Sequence, residues 1–118
     1  MIVKTIDSVP QEEVKAGTKT YRQVLISPEE APNFAMRRFI IEPGGEMPAH
    51  TNTVEHEQLV LNGQAAVGIG DRTFEVTRNM VVFIPAGLPH WYKATGDEPF
   101  EFLCLVPNKD DTIELIGG

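Results

Sequence analysis

At 118 residues, with 42% apolar and 23% charged side chains, the chain is sized for one domain with a real core and is too short for two. Its formal net charge of -7 argues against nucleic acid and anionic membrane surfaces as partners. A lone cysteine, Cys104, excludes an intramolecular disulfide, and Lys4 and Asp7 break the N-terminal apolar run. Neither a signal peptide nor a membrane span is therefore expected, and the expected location is the cytoplasm.

Ten Gly and nine Pro fall between short apolar runs, the pattern of many short strands. In chain order, residues 1–6 read as an edge strand, followed by a polar loop through Gly17, and 20–28 as a second strand. Residues 34–43 read as a strong strand stopped by Pro43, Gly44 and Gly45, with Arg37, Phe39 and Ile41 on one face. Residues 46–52 and 56–63 flank a turn at 53–55, and 64–76 form a hairpin turning at Gly70 and Asp71. The run 80–85 is apolar throughout, as a strand buried on both faces would be. A strand from His90 turns at Gly96 and Asp97 into a last long strand over 99–107, and the tail 109–118 reads as a short strand or a mobile end. This spacing predicts an all-β, antiparallel sandwich or small barrel. Gly68-x-Gly70 belongs to the hairpin; with Thr at 73 and no helix after it, it is no dinucleotide loop.

All three histidines lie in two Gly/Pro-punctuated segments. His50 and Asn52 share a strand face, His56 opens the next strand, and His90 follows the rigid turn Pro-Ala-Gly-Leu-Pro. Any one histidine alone reads as structural or surface-exposed. Three on one face would instead make a site for zinc, iron, copper or nickel with one to three positions open.

The same segments resemble the paired signature motifs of the cupin superfamily. The first runs Gly44, five residues, His50-x-Asn52, three residues, His56, six residues, Gly63. The second runs Asn79, five residues, Pro85-x-Gly87, two residues, His90, three residues, Ala94, after a gap of fifteen residues. The resemblance covers residues 34–107. It implies a jelly-roll β-barrel with a metal in its mouth, formed by one domain over 1–118 with N-terminal strands within 1–28. APNFAMRRF, EPGG, VEHE and FEFLCLVP are similar to small single-domain cupins in which four histidines bind manganese. His56 stands where many cupins carry Glu, and Asn52 stands where a second histidine is expected. The implied ligands are therefore His50, His56 and His90, with Asn52 a weak or water-mediated neighbour. Asn79 occupies a glycine turn position, which Asn tolerates.

Three neutral ligands leave the metal its full charge, which suits an anionic substrate. Arg37, placed inside the barrel by parity, is either an anchor for that substrate or one half of an ion pair. Met47, Tyr92, Phe102, Cys104 and Val106 have the parity to wall an apolar pocket, and each reads equally as ordinary core. Glu55 and Glu57 alternate with His56 and should face away. The leading expectation is a metal-dependent enzyme, with Mn or Fe serving an oxygen- or peroxide-dependent oxidation of a small molecule. The alternatives are Zn or Ni in a non-redox isomerase or hydrolase, and a small-ligand-binding module. A homodimer is expected, with the edge of Thr5–Val9 open to a partner strand.

Overall fold

Alternating apolar and polar residues over the middle of the chain fold into ten antiparallel strands in the computed structural model, which describes residues 1–109 and 111–116. In chain order these are β1 (Glu12–Glu13), β2 (Thr18–Ile26), β3 (Phe34–Asn52), β4 (His56–Asn62) and β5 (Gln64–Ile69). They continue as β6 (Arg72–Thr77), β7 (Val81–Ile84), β8 (His90–Ala94), β9 (Phe100–Pro107) and β10 (Ile113–Leu115). The sheet runs β6-β5-β8-β3-β9-β4-β7, with β2 and β10 also pairing β3, and β1 pairing β2. This is the jelly-roll arrangement, all-β and curled on itself.

The sheet closes through β3. Pro43, Gly44 and Gly45 bend this strand without stopping it, which corrects the expectation of two separate strands over 34–43 and 46–52. Gly44 takes φ +83, open to glycine at no steric cost, and a Cβ on Gly45 would lie 2.6 Å from the Thr18 carbonyl oxygen. The bend changes partners. Phe34–Ile41 pairs with β9, while Glu46, Met47 and His50 pair with Lys93, Tyr92 and His90 of β8. One strand thus delivers Arg37 and Phe39 to one wall of the barrel and His50 and Asn52 to its mouth.

The core follows strand parity. Ile41, Val60, Val67, Ile84, Phe100 and Phe102 point inward and are buried. Phe102 stacks on Phe39 (ring centroids 5.2 Å apart) and on Tyr92 (5.1 Å), a continuous aromatic wall. Asn79 takes φ +73 in its turn, as expected.

Two further expectations need correction. Residues 1–5 form no strand; the chain makes a 3-10 turn at Ile6–Ser8, and Gln23 Nε2 donates to the carbonyls of Ile6 (3.0 Å) and Val9 (2.8 Å). Ser8 N–H donates to the Thr5 carbonyl and Val9 N–H to that of Ile6, so Thr5–Val9 is a turn and not the strand edge expected there. β7 is not buried on both faces: Val81 is 78% and Phe83 56% exposed, because β7 ends the sheet order beside β4 and only its inner face meets the core. The tail forms the short strand β10, while Asp110, Gly117 and Gly118 lie outside the described residues. Among the described residues no helix is long and apolar enough to cross a membrane.

Candidate metal centre

Register and turn geometry bring the histidines together. His50 and His90 are paired across β3 and β8, their rings 4.2 Å apart, and His56 enters from β4 with its ring 5.6 Å from that of His90. All three are at least 94% buried, exposing 5% (His50), 6% (His56) and 1% (His90). Nδ1 of His50 lies 2.9 Å from the Pro48 carbonyl, and Nδ1 of His90 3.0 Å from that of Leu88. A carbonyl only accepts, so each Nδ1 carries the hydrogen, and in the neutral rings Nε2 keeps a free lone pair.

Burial sets the charge state of His56 and His90. It pushes His56 down to about 3, with the Arg37 cation and His90 adding to the effect. It pushes His90 down to about 4 against the opposing hydrogen bond to Leu88. Both are neutral at neutral pH, the form that ligates.

The histidines open into a narrow cavity with about 70 Å³ of free interior. Arg37, Met47, Asn52, Tyr92, Phe102 and Cys104 all line it; Met47, an odd three residues from His50, does so because the strand register shifts between them. Val106 does not; it lies towards the far end of β9 and packs against the core. Glu57 faces outward, in register with the exposed Phe83.

Arg37 has no carboxylate partner among the described residues. Its Nη2 donates to Cys104 Sγ at 3.4 Å, its Cζ sits 5.1 Å over the Phe39 ring, and its Nε is buried without a partner. Its neighbour Arg38 is ion-paired instead, meeting Glu101 and Gln23, and Arg22 of β2 pairs with Glu12. Cys104 also lies 3.4 Å from His56 Nδ1, and burial pushes its thiol up, so it stays protonated. Burial likewise pushes the Tyr92 phenol up, and its oxygen accepts from Gln58 Nε2 at 2.7 Å.

Several residues of the site were missed in the sequence, among them Arg22, Gln58 and Ile113 of the cavity lining and Asp111 beside it. Gln58 was within reach, since it lies two residues after His56 on the same strand face. Asp111, whose carboxylate reaches Asn52 and Thr53, carried no local signal.

Among the described residues, no group of three or more His, Cys, Asp or Glu side chains is arranged so that it could hold a metal ion as it stands. The donor chemistry nonetheless fits a metal. His56 Nε2, His90 Nε2 and Asn52 Oδ1 are buried and without partners. With Nδ1 of His90 bonded to Leu88, its Nε2 can only accept, as can a carbonyl oxygen. Acceptors cannot satisfy one another, and each left alone costs about 1–3 kcal/mol. Their natural partner is a cation or a proton donor from outside the chain.

A jelly-roll barrel carrying inward histidines at its mouth is the architecture of a cupin. The Cupin_2 family model (cupin domain) matches residues 37–106, more than half of the chain, and the chain belongs to that family. Its fold superposes on the polyketide cyclase RemF from Streptomyces resistomycificus with a TM-score of 0.91 and 28% identity, covering 100% of this chain and 87% of that one. It is 33% identical over 92 residues to a mannose-1-phosphate guanylyltransferase of Klebsiella pneumoniae, covering 73% of this chain and 19% of that protein. It is 30% identical over 94 residues to the 1-methylthio-D-xylulose 5-phosphate methylsulfurylase of Rhodospirillum rubrum, covering 80% of this chain and 60% of that protein. The chain thus spans about a fifth of the first curated relative and less than two thirds of the second.

Proposed function

We propose that this cupin is a metal-dependent enzyme acting on a small oxygen-bearing molecule, by carbonyl activation without net oxidation. The observation that carries it is the pair of buried acceptor atoms, His90 Nε2 and Asn52 Oδ1, beside the equally buried and unpartnered His56 Nε2 and the His50 ring. His50, His56 and His90 would hold one divalent ion, which when bound supplies Lewis-acid polarisation of a substrate oxygen.

The remaining residues bind and orient. Phe39, Phe102 and Tyr92 present a flat aromatic wall suited to a planar, apolar body. Arg37, which has no carboxylate partner among the described residues, would receive an anionic oxygen and stabilise negative charge that grows there. Tyr92 stays protonated and tied to Gln58, so it shapes the pocket and does not act as a base. Likeness over the whole chain to a polyketide cyclase favours the non-redox form. Mn or Fe in an oxygen-dependent oxidation is the second reading, favoured by three neutral donors that leave positions open.

The test is to load the protein separately with Mn(II), Fe(II) and Zn(II) and add an enolisable β-diketone in deuterated water. Metal-dependent deuterium exchange beside the carbonyl, without oxygen consumption, is expected. Oxygen uptake matching substrate loss would replace this reading by the oxidative one.

We propose also that the protein is a homodimer of the cytoplasm. Leu59, Val81, Phe83 and Leu105 form an exposed apolar face across β4, β7 and β9, the kind of surface a partner copy covers. A reducing compartment suits the free thiol of Cys104.

A further inference from the structure

We infer that Asp111, outside the family-matched region, is a positioning residue that turns the carbonyl oxygen of Asn52 towards the three histidines as a fourth donor. The inference rests on the metal reading above and extends it to the C-terminal segment.

Three observations converge on it. First, Asn52 is 95% buried, with 5% exposure, and its Nδ2 donates to Asp111 Oδ2 at 3.2 Å. A carboxylate only accepts, so the amide nitrogen must be the atom facing Asp111, and Oδ1 is turned to the other side. That oxygen is buried without a partner in the residue that lines the cavity beside His50, His56 and His90.

Second, Asp111 is itself held. Its Oδ1 accepts from the Thr53 backbone N–H at 2.9 Å and from Thr53 Oγ1 at 3.1 Å. The Thr53 hydroxyl oxygen in turn accepts from the Thr112 N–H at 2.8 Å. The turn after β3 and the start of the tail therefore grip one carboxylate between them.

Third, the tail is tied down over the site. β10 pairs Ile113 with Asn52 and Leu115 with His50, Ile116 N–H donates to the Ala49 carbonyl at 3.0 Å, and Ile113 lines the cavity. Drawing charge through the amide N–H also makes the carbonyl oxygen at the other end of the same group more basic. A neutral amide, a poor donor by itself, becomes a better one, in the way an outer carboxylate tunes a metal-bound imidazole.

The experiment uses the full chain, first metal-free and then titrated with Co(II). In the metal-free, 15N-labelled protein the Asn52 side-chain N–H protons should exchange slowly, and Asp111→Ala should speed that exchange at least tenfold. In the Co(II) arm, Asp111→Ala should weaken binding by about tenfold or more, the scale of losses from outer-shell partners. Asn52→Ala should show the same loss, and the double variant no further loss, because the carboxylate acts through the amide. Unchanged amide exchange in Asp111→Ala, or losses that multiply in the double variant, would overturn the inference. If the wild type binds no Co(II), the metal reading falls and the donor role of Asn52 falls with it, while the amide exchange still decides whether Asp111 orients the side chain. Should Asp111→Ala not fold, Asp111→Asn keeps an acceptor but removes the charge; it should weaken Co(II) binding by a smaller factor, and unchanged affinity there refutes the inference equally.

Discussion

Acidification should destabilise the metal-free protein through two buried histidines. His56 and His90 are held neutral by burial, their folded-state values lowered from 6.5 to about 3 and about 4. Between those values and 6.5 the unfolded chain binds protons that the folded chain refuses, so stability rises with pH across this window and falls as pH drops. At pH 7 nearly all of this stabilisation is present. At pH 5 each ring has lost about 2 kcal/mol, following the roughly 1.4 kcal/mol per pH unit that one proton difference carries, and the pair about 4 kcal/mol. Most carboxylates titrate below pH 5, so the two histidines dominate this interval. The assay is urea unfolding of chelator-treated protein at pH 7 and pH 5, with wild type compared to His56→Gln. Wild type should lose about 4 kcal/mol and the variant about half of that. Equal stability of the wild type at the two pH values would refute the argument that both rings are neutral in the folded protein.

Further outcomes follow from the same geometry. Phe102→Ala removes the ring that stacks on Phe39 and Tyr92 and meets Phe100 at a tilt, and should cost about 3–5 kcal/mol in urea unfolding; a loss under 1 kcal/mol would contradict its place in the core. Arg37→Met should keep its metal content and weaken binding of a β-diketone probe by about tenfold or more, read by calorimetry, because a hydrogen bond to a charged group is lost. Equal affinity would remove Arg37 from the substrate site. Phe83→Asp should shift the mass measured by sedimentation from dimer to monomer without changing the metal content; a wild type that is monomeric at micromolar concentration would refute the dimer.

Much of the fold and the three histidines could be read before the structure because they rest on local rules. Strand parity placed Arg37, Tyr92, Phe102 and Cys104 on the cavity, since side chains two apart share a face, but it failed for Val106, and Met47, three residues from His50, reaches the cavity through a register shift in β3. What stayed hidden depended on what lies beside a strand. An apolar run such as 80–85 reads the same whether both faces are covered or one is bare, and the sheet order decided that Val81 and Phe83 are exposed. Pro-Gly-Gly at 43–45 signals a break or a bend alike, and the pairing of β3 with both β9 and β8 made it a bend. Asp111 meets Asn52 across 59 positions of sequence, a distance no periodicity reaches.

The most direct test of the central claim is the metal content of the purified chain by inductively coupled plasma mass spectrometry, after reconstitution with Mn(II), Fe(II) or Zn(II) and removal of free ion. The account predicts about one divalent ion per wild-type chain and less than about a tenth of that in His56→Ala, because removing one of three imidazoles opens the cage. A wild type that retains no metal, or a His56→Ala variant as fully loaded as the wild type, would contradict it.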